Sequence, residues 1–530
     1  MTTQRRTLIV DDAALDSLRR PHDGLVLEQQ ISPDRFTLAE GPFKTYERTL
    51  DVVSRDDHEW EVAETTTWQL GIPVFWIIVW FPFWFHVRSG QKNPSPWWAP
   101  SGRFDSRAGR VIGLLGVLAI INGFLGTVIG QTLTFAADEF CTEFVVELDG
   151  RRRCIDPDHD TSARANVFSI VRVSVVLSLL LTVAADRIGR RRALTIAIVT
   201  SCVATLAGAF APSLTALTVT QIFARGLATG VTILIGVFAA EELPTKSRAY
   251  GVSMLILLAG LGSGMVVWVL PAADIAEWGW RLVFGAAALF IPFALWVGSQ
   301  LPTTRRFALL EQQPLAASLN ELRTNPTLRK RLLLLGFAAL LGAFFANPAS
   351  QFDNQFLRDE LGFNATRISL FTVITSTPIG IGVMAGGIMA DRIGRRPIGA
   401  FGTAVGATMT VLSFLVGPVV IFPIRAIGVI LGAGFAVAGL AVYGPELFPT
   451  RLRSTANGVI TAFAVVGAVL GLQVVGRLAE RFDAFGPALA IAAIGPAIVV
   501  ILIVTLYPET ANRTLEDINE EPSLADDTSD

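Results

Sequence analysis

Cysteine, histidine and charge are all scarce in this chain of 530 residues. Three Cys and four His leave little scope for a disulfide framework or a structural metal site, so no metal is expected. Charged residues make up 17% of the sequence, against about 25% in an ordinary soluble protein. The formal net charge of −2 supplies no basic field for nucleic acid. No glycine-rich phosphate loop is present, so ATP hydrolysis is not expected. No short apolar stretch with a cleavage site follows Met1, so no signal peptide is expected either. What the chain has instead is apolar bulk: 52% hydrophobic residues, with 47 Gly, 34 Phe and 11 Trp. The apolar residues fall in runs of about 20, the length that crosses a bilayer as a helix.

Residues 1–69 stand apart, with 14 Asp/Glu against 8 Lys/Arg. They read as a small polar segment, with Asp11–Arg20 a short helix and Tyr46–Val53 and Trp60–Trp68 the arms of a hairpin. Residues 70–87 are apolar and aromatic and just long enough to span, so they are expected as an extra transmembrane helix. An interfacial or re-entrant segment is the competing reading, favoured by their many Trp. Twelve further runs follow, at 111–137, 165–185, 193–211, 215–241, 250–272, 281–301, 332–352, 367–390, 397–417, 421–443, 454–476 and 486–507. The connection 302–331 splits them into two halves, 111–301 and 332–507, followed by a tail at 508–530. The expected fold is thus an all-α integral membrane protein. It has twelve transmembrane helices in two six-helix repeats, an extra N-terminal transmembrane helix and a small polar N-terminal segment.

Charge orients the bundle. Loops on the side that follows the second run carry 22 Lys/Arg, against 8 on the other side, counting Arg367 at a helix edge. Positive charge stays inside, which puts the C-terminus in the cytoplasm of a multi-pass cell-membrane protein. An extra spanning helix at 70–87 would then put residues 1–69 outside.

The two halves are copies. Ala185-Asp-Arg-Ile-Gly-Arg-Arg191 recurs as Ala390-Asp-Arg-Ile-Gly-Arg-Arg396, and Glu241/Pro244/Arg248 recur as Glu446/Pro449/Arg453, both 205 residues on. Such repeats are the plan of transporters that rock two halves about a central site. The D-R-x-G-R-R loops resemble the signature loop of the major facilitator superfamily. The Glu/Pro/Arg sets resemble its sugar-porter and metabolite-symporter branches, and Pro508–Glu516 resembles the P-E-T-K-G-R-T-L-E tail of sugar porters. The resemblance covers about residues 111–518. It implies a monomeric carrier, without enzymatic activity or cofactor, whose partners are a small-molecule substrate, protons and the lipid bilayer.

Two charge clusters are expected to lock the cytoplasmic helix ends. The first is Asp186, Arg187, Arg190, Arg191, Glu241 and Arg248. The second is Asp391, Arg392, Arg395, Arg396, Glu446 and Arg453. A purely topological role for the arginines is the alternative. The spacings Gly260/Gly264, Gly382/Gly386 and Gly467/Gly471 put small residues on shared helix faces, where neighbouring helices can approach closely.

An ionisable group within a span is a functional hypothesis by default. Arg225 lies 16 residues before Glu241, or about 24 Å from that helix end. Arg172 lies in the outer half of the second run. Neither has an evident acidic partner, and guanidinium suits carboxylates, so an organic anion is the preferred substrate. The expected substrate-binding set is Arg225, Arg172, Asn122, Gln131, Asn347 and Gln351. Asn122 and Gln131 satisfying Arg225 structurally is the competing reading. Asn122-Gly-Phe-Leu-Gly-Thr127 is similar to the stretch where sugar porters carry their proton-coupling Asp, but here that position is Leu125. A proton site would then fall to Asp138, Glu139 or Asp353. Arg425, at a helix start, reads as snorkelling to the interface. Cys141 and Cys154 flank Asp149-Gly150, a hairpin signal, and are expected as a disulfide. Cys202 is expected to be inert. A carrier of a neutral metabolite or sugar, and a non-transporting membrane sensor, are the competing functions.

Overall fold

The computed structural model describes the chain except residues 57–58, 90–103, 147–151, 155, 157–159, 244–247, 303–314, 441–442, 444–446, 450–451 and 512–530. The N-terminal segment is more than a hairpin. It is a five-stranded antiparallel sheet of β1 (Thr2–Val10), β2 (Leu27–Ser32), β3 (Arg35–Glu40), β4 (Phe43–Asp56) and β5 (Glu59–Leu70), in the order β1-β5-β4-β3-β2. The short helix arrives as expected: α1 (Asp12–Leu18) is capped by Asp11, whose carboxylate accepts the Ala14 N–H at 2.8 Å. The all-α expectation therefore holds for the bundle and fails for residues 2–70.

Period-two alternation decides which face of the sheet is buried. Val62, Glu64, Thr66 and Trp68 of β5 and Tyr46, Arg48 and Leu50 of β4 all point inward. Two of these, Arg48 and Glu64, are charged, and Glu28 of β2 points to the same side. Arg48 and Glu28, each fully buried, meet at 2.7 and 2.9 Å, and the Tyr46 hydroxyl donates to Glu28 at 2.7 Å. Arg48 also donates to the Leu18 and Arg20 carbonyls at 2.9 and 3.2 Å and lies over the Phe36 ring. Burial alone would push the Glu28 carboxyl up, but hydrogen bonds from His22 and Arg48 hold it at about 2.

The extra helix expected over 70–87 is shorter than a span. Helix α2 (Trp76–Arg88) has 13 residues, which is about 20 Å at 1.5 Å per residue, against about 30 Å of hydrocarbon. Its Phe83 and Val87 pack on Phe43, Tyr46 and Trp68 of the sheet, while Trp76, Phe81 and Phe85 are exposed. The five residues ahead of it are spent on a turn. Val74 sits at φ 64°, and the Phe75 N–H donates to the Pro73 carbonyl at 2.7 Å, a strained three-residue turn for a β-branched residue.

The rest is a helical bundle with a small hairpin. Its first half contains α3 (Ser106–Phe140), the hairpin of β6 (Phe144–Val146) and β7 (Arg152–Cys154), the broken rod α4 (Thr161–Val173) and α5 (Val175–Ile188), α6 (Arg190–Gly208), α7 (Leu214–Glu242), α8 (Arg248–Val269), and α9 (Trp280–Gly285) running into α10 (Ala287–Gln300). A connecting helix α11 (Leu315–Thr324) leads to the second half. That half contains α12 (Pro326–Gln351), α13 (Asp353–Asp359), the broken rod α14 (Ala365–Ser376) and α15 (Ile379–Ile393), α16 (Arg395–Ser413), α17 (Ile421–Ile427), α18 (Phe435–Leu440), α19 (Arg453–Phe482), α20 (Phe485–Ala492) and α21 (Ile494–Leu506). Among the described residues, nine helices are long and apolar enough to cross a membrane.

Small residues set the closest helix contacts. A Cβ on Gly467 or Gly471 of α19 would lie 2.0 Å from the Leu340 or Phe344 carbonyl oxygen of α12, so the close approach expected there is present. Gly260 and Gly264 instead face open space. On α8 the contact runs through Gly262, whose Cβ would lie 1.9 Å from the Ile120 carbonyl oxygen of α3. The sheet docks on the start of that same helix: Pro42 and Ile72 lie over Gly109, and Pro73 over Gly113.

Candidate functional site

The two halves are tied together at the end of the bundle that carries Asp138. The Arg358 Nε donates to Asp138 at 2.8 Å, and Arg164 reaches Asp138 at 2.8 Å and Asp359 at 3.5 Å. Ser162 donates through N–H and hydroxyl to Glu480, both at 2.5 Å, and the Gln355 amide donates to Thr161 at 2.8 Å. The Asp274 carboxylate caps α14 across the divide, accepting from the Ala365 and Thr366 N–H groups at 2.8 and 2.7 Å. Burial raises the Asp359 carboxyl, to about 6, with Asp138 adding to the rise and Arg164 and Arg358 opposing it.

At the opposite end the hydrogen bonds stay within each half. Arg107 pairs with Glu242 at 3.0 Å, and Arg191 donates to the Gly298 and Ser299 carbonyls at 2.9 and 2.8 Å. In the second copy, Glu509 accepts the Arg395 and Arg396 N–H groups at 2.9 and 3.1 Å, and Arg395 reaches Thr510 at 3.1 Å. Burial would raise the Glu509 carboxyl, but these backbone donors hold it below its ordinary range. In each half, then, the repeated arginine loop grips the end of the last helix of its own half. Arg190 is buried and Arg392 exposed. The side chains of Asp186, Arg187, Glu241, Arg248, Asp391, Glu446 and Arg453 lie outside the described residues. Among the described residues, no hydrogen bond or ion pair joins the halves at this end.

Between the ends lies a cavity of about 780 Å³, lined mainly by the second half and by Gln131 of α3. Its charged pair is Arg425–Asp353, at 2.7 Å, with the guanidinium over the Phe371 and Phe414 rings. Arg425 therefore turns inward to a carboxylate rather than snorkelling outward. Asn354 donates to the Gln131 carbonyl and side-chain oxygens at 2.8 and 3.0 Å, joining the halves at the cavity edge.

Arg172 and Arg225 act on each other as like charges across the first half. Both are half-buried, and among the described residues neither guanidinium has a hydrogen-bonded or acidic partner. The side chains expected to satisfy Arg225 are engaged elsewhere: Asn122 donates to Thr232 at 2.7 Å, and Gln131 accepts from Asn354. Asn347 donates to Ala343 of its own helix at 3.2 Å. The Gln351 Oε1 is buried without a partner, close to Gly130. Of the expected proton sites, Asp138 and Asp353 are ion-paired as above, and Glu139 receives Arg281 at 3.0 Å and the Trp280 indole N–H. Cys141 is disulfide-bonded and Cys202 is free and buried, while the side chain of Cys154 lies outside the described residues.

Sequence reasoning missed Arg164, Arg358, Asp359, Asn354 and the partner of Arg425. Their partners come from distant helices, as with Gln131 and Asn354, so local spacing held no signal. The only hint was charge placed at helix ends on the side poor in Lys/Arg.

Comparison with known proteins agrees with this architecture. The family model for the Major Facilitator Superfamily matches residues 115–472 and 352–524. The chain is 26% identical over 343 residues to a cis,cis-muconate transport protein of Acinetobacter baylyi, covering 60% of this chain and 80% of that one. It is 23% identical over 388 residues to an arabinose-proton symporter of Bacillus subtilis, covering 63% and 81%. In fold it is similar to the inward-open xylose transporter XylE from E. coli, with a TM-score of 0.61 at 16% identity over 77% of this chain and 98% of that one. A duplicated helical bundle, a cavity between its ends and a family model spanning most of the chain lead to one assignment: this is a multi-pass membrane protein of the Major Facilitator Superfamily, a transporter of small metabolites or sugars and not an enzyme.

Proposed function

We propose that the chain carries a small organic anion across the cell membrane by alternating access. The observation behind this reading is the Arg172/Arg225 pair: two guanidiniums in mutual repulsion, with no acidic partner among the described residues. Such a site gains most from an anion, because Arg binds a carboxylate through two parallel hydrogen bonds. Leu125, where a carboxylate would stand opposite in sugar porters, leaves the positive charge uncompensated. The muconate carrier among the relatives supports the same substrate class.

The excess of Lys/Arg in the arginine-loop side puts that end in the cytoplasm, with the C-terminus. The ties at the Asp138 end then close the outer face, and the conformation faces inward. The helical rods are read as twelve spans, three of which fall short of the length and apolarity of the other nine. The sheet docks on the cytoplasmic start of α3, so α2 and residues 71–75 form an element that enters the inner leaflet and returns.

Arg225 tests the reading. Arg225→Lys keeps charge but loses the planar two-point contact, and Arg225→Gln loses both. A charge-assisted hydrogen bond is worth about 1.5–3 kcal/mol, so carboxylate affinity should fall on the order of tenfold to a hundredfold for Gln and less for Lys. The measurement is a thermal-stability titration of the purified protein with a panel of carboxylates and their neutral amides. Equal loss for acids and amides would leave Arg225 a structural residue. The second reading, a carrier of a neutral solute, is favoured by the likeness to the arabinose-proton symporter. It predicts ligands in the panel whose affinity ignores the Arg225 variants.

A further inference from the structure

We infer that a second cavity, between the sheet and the bundle, holds the phosphate headgroup of an anionic phospholipid. This cavity measures about 770 Å³ and shares no lining residue with the one inside the bundle. Its volume falls in the range of about 300–1,000 Å³ usual for ligand pockets. It lies where β4 and the end of β5 meet α2 and the first turn of α3. Its basic side chains are Lys44 and Arg110, and its aromatic ones are Trp68, Trp76 and Trp80. Among the described residues, no Asp or Glu lines it. The inference is independent of the transported solute. It rests on α2 entering a leaflet, as proposed above, and not on which leaflet that is.

Local geometry brings the two cations to one cavity. Phe43 pairs with Leu70 and Thr45 with Gln69, so Lys44 is the extra residue of a β-bulge, a device that re-aims a side chain. Lys44 is exposed, and among the described residues its ammonium has no ion pair or hydrogen bond. Two residues before it, Pro42 rests on α3: a Cβ on Gly109 would lie 3.6 Å from Pro42 and 3.5 Å from Ile72. The Gly71 N–H donates to the Pro42 carbonyl at 2.8 Å, fixing the start of β4 to the turn before α2. Arg110 is the residue after Gly109, so both cations stand within two residues of one direct contact. Arg110 is exposed and donates from Nη2 to Gln300 at 2.6 Å. A guanidinium has five N–H donors, which leaves others for a phosphate. Asp105, the acidic residue closest to this turn in sequence, is engaged as the cap of α3, accepting the Ala108 N–H at 2.6 Å.

The remaining wall is apolar, made by Leu70, Ile72, Pro73, Trp76 and Trp80. Trp80 is held in place by its indole N–H, which donates to the Thr2 hydroxyl at 3.0 Å, while Trp76 is 52% exposed. A soluble phosphate gains nothing from such a surface. A phospholipid does, because Trp sits at headgroup level in a membrane and the acyl chains continue into the leaflet that α2 enters. Basic residues at that depth attract anionic headgroups. A zwitterionic lipid brings its own ammonium, which two cations repel. A lipid seated here touches β4 through Lys44, α2 through Trp76 and α3 through Arg110, so it fastens the sheet to the first half of the bundle.

The test is a stability titration of the full-length protein in detergent with short-chain phosphatidylglycerol, phosphatidylcholine of the same chain length, and glycerol phosphate. Phosphatidylglycerol should bind about 25-fold more tightly than phosphatidylcholine, about fivefold for each basic residue. Lys44→Gln and Arg110→Gln should each cost about fivefold and leave phosphatidylcholine unchanged. Arg110→Lys should keep most of the affinity. Both side chains are exposed, so these variants keep the fold. Trp76→Ala should weaken phosphatidylglycerol and leave glycerol phosphate unchanged. Amide exchange locates the site against the other basic residues of the bundle: phosphatidylglycerol should raise protection over residues 42–46 and 69–76 in the natural chain and not in Lys44→Gln/Arg110→Gln. Phosphatidylglycerol binding that ignores this double variant would overturn the inference. So would equal losses in Arg110→Lys and Arg110→Gln, which would leave Arg110 a structural partner of Gln300. Glycerol phosphate that binds as tightly as the lipid would assign the cavity to a soluble phosphate and end the lipid reading. Detergent exposes both faces of the protein, so a sheet found on the outer side of the membrane changes none of these outcomes.

Discussion

Glu28 and Arg48 show how much a single pair of side chains can decide. Both are fully buried in the sheet, and each is satisfied by the other and by Tyr46, His22 and two carbonyls. Removing one partner leaves the other charged and buried, which costs about 3–5 kcal/mol. Glu28→Gln should therefore unfold the sheet at a lower temperature than the bundle, seen as early loss of amide-exchange protection in β4. The pH dependence follows from a carboxyl held at about 2 in the fold against 4.5 when unfolded. A depressed pKa means that the fold binds the proton less tightly than the unfolded chain. The stabilisation is fully present above about 4.5 and is lost as pH falls toward 2. Exchange protection of β4 should fall within that window in the natural chain and lose this dependence in Glu28→Gln. The same pair explains why the sheet was hard to read from sequence. Its inward positions include Glu28, Arg48, Glu64 and Thr66, so the alternation of apolar and polar residues that marks a strand is broken where the core is made of ions.

Among the elements, the meeting of α3 and α4 with α13 carries the next prediction. Burial where the halves close raises the Asp359 carboxyl to about 6, and parting them would return it to water and its ordinary range. The closed form thus binds the proton more tightly. Closure is favoured below about 6 and weakens as pH rises through it. Spin labels at Pro212→Cys and Val419→Cys, both on exposed positions of the Asp138 end, should move apart between pH 5 and 8. In Asp359→Asn their separation should not depend on pH. A response that survives this variant would assign the pH sensitivity to another group. The elements themselves were legible from apolar runs and the repeat offset of 205 residues, because a lipid-facing helix must be apolar along its length. α2 was overestimated for a physical reason. Gly71–Phe75 are apolar but are used in a turn at Val74, and composition does not distinguish a turn from a helix.

At the scale of the whole molecule, the described residues tie the halves together at one end and not at the other, and the cavity lies between. The repeated loops, the terminal Pro508-Glu509-Thr510 and the unpartnered arginines were all visible in the sequence. The cross-half pairings were not, because they join residues hundreds of positions apart. The side on which the sheet lies was read conditionally, through an extra span that proved too short. If α2 only enters the inner leaflet, as proposed, a tag at Met1 should be reached by antibody in inverted vesicles and not on intact cells. The reverse result would restore a spanning segment. The docking of the sheet has one more consequence. Its Pro42 and the adjoining Ile72 and Pro73 rest on Gly109 and Gly113, about one turn apart on α3, with no room for a side chain at Gly113, so the sheet is packed closely against one half. When that half tilts, a few degrees at the helix become a larger sweep at the far edge of the sheet. The sheet is then a pointer, turning a small tilt of one helix into a movement legible at its own surface, whether by a fluorophore or by another protein.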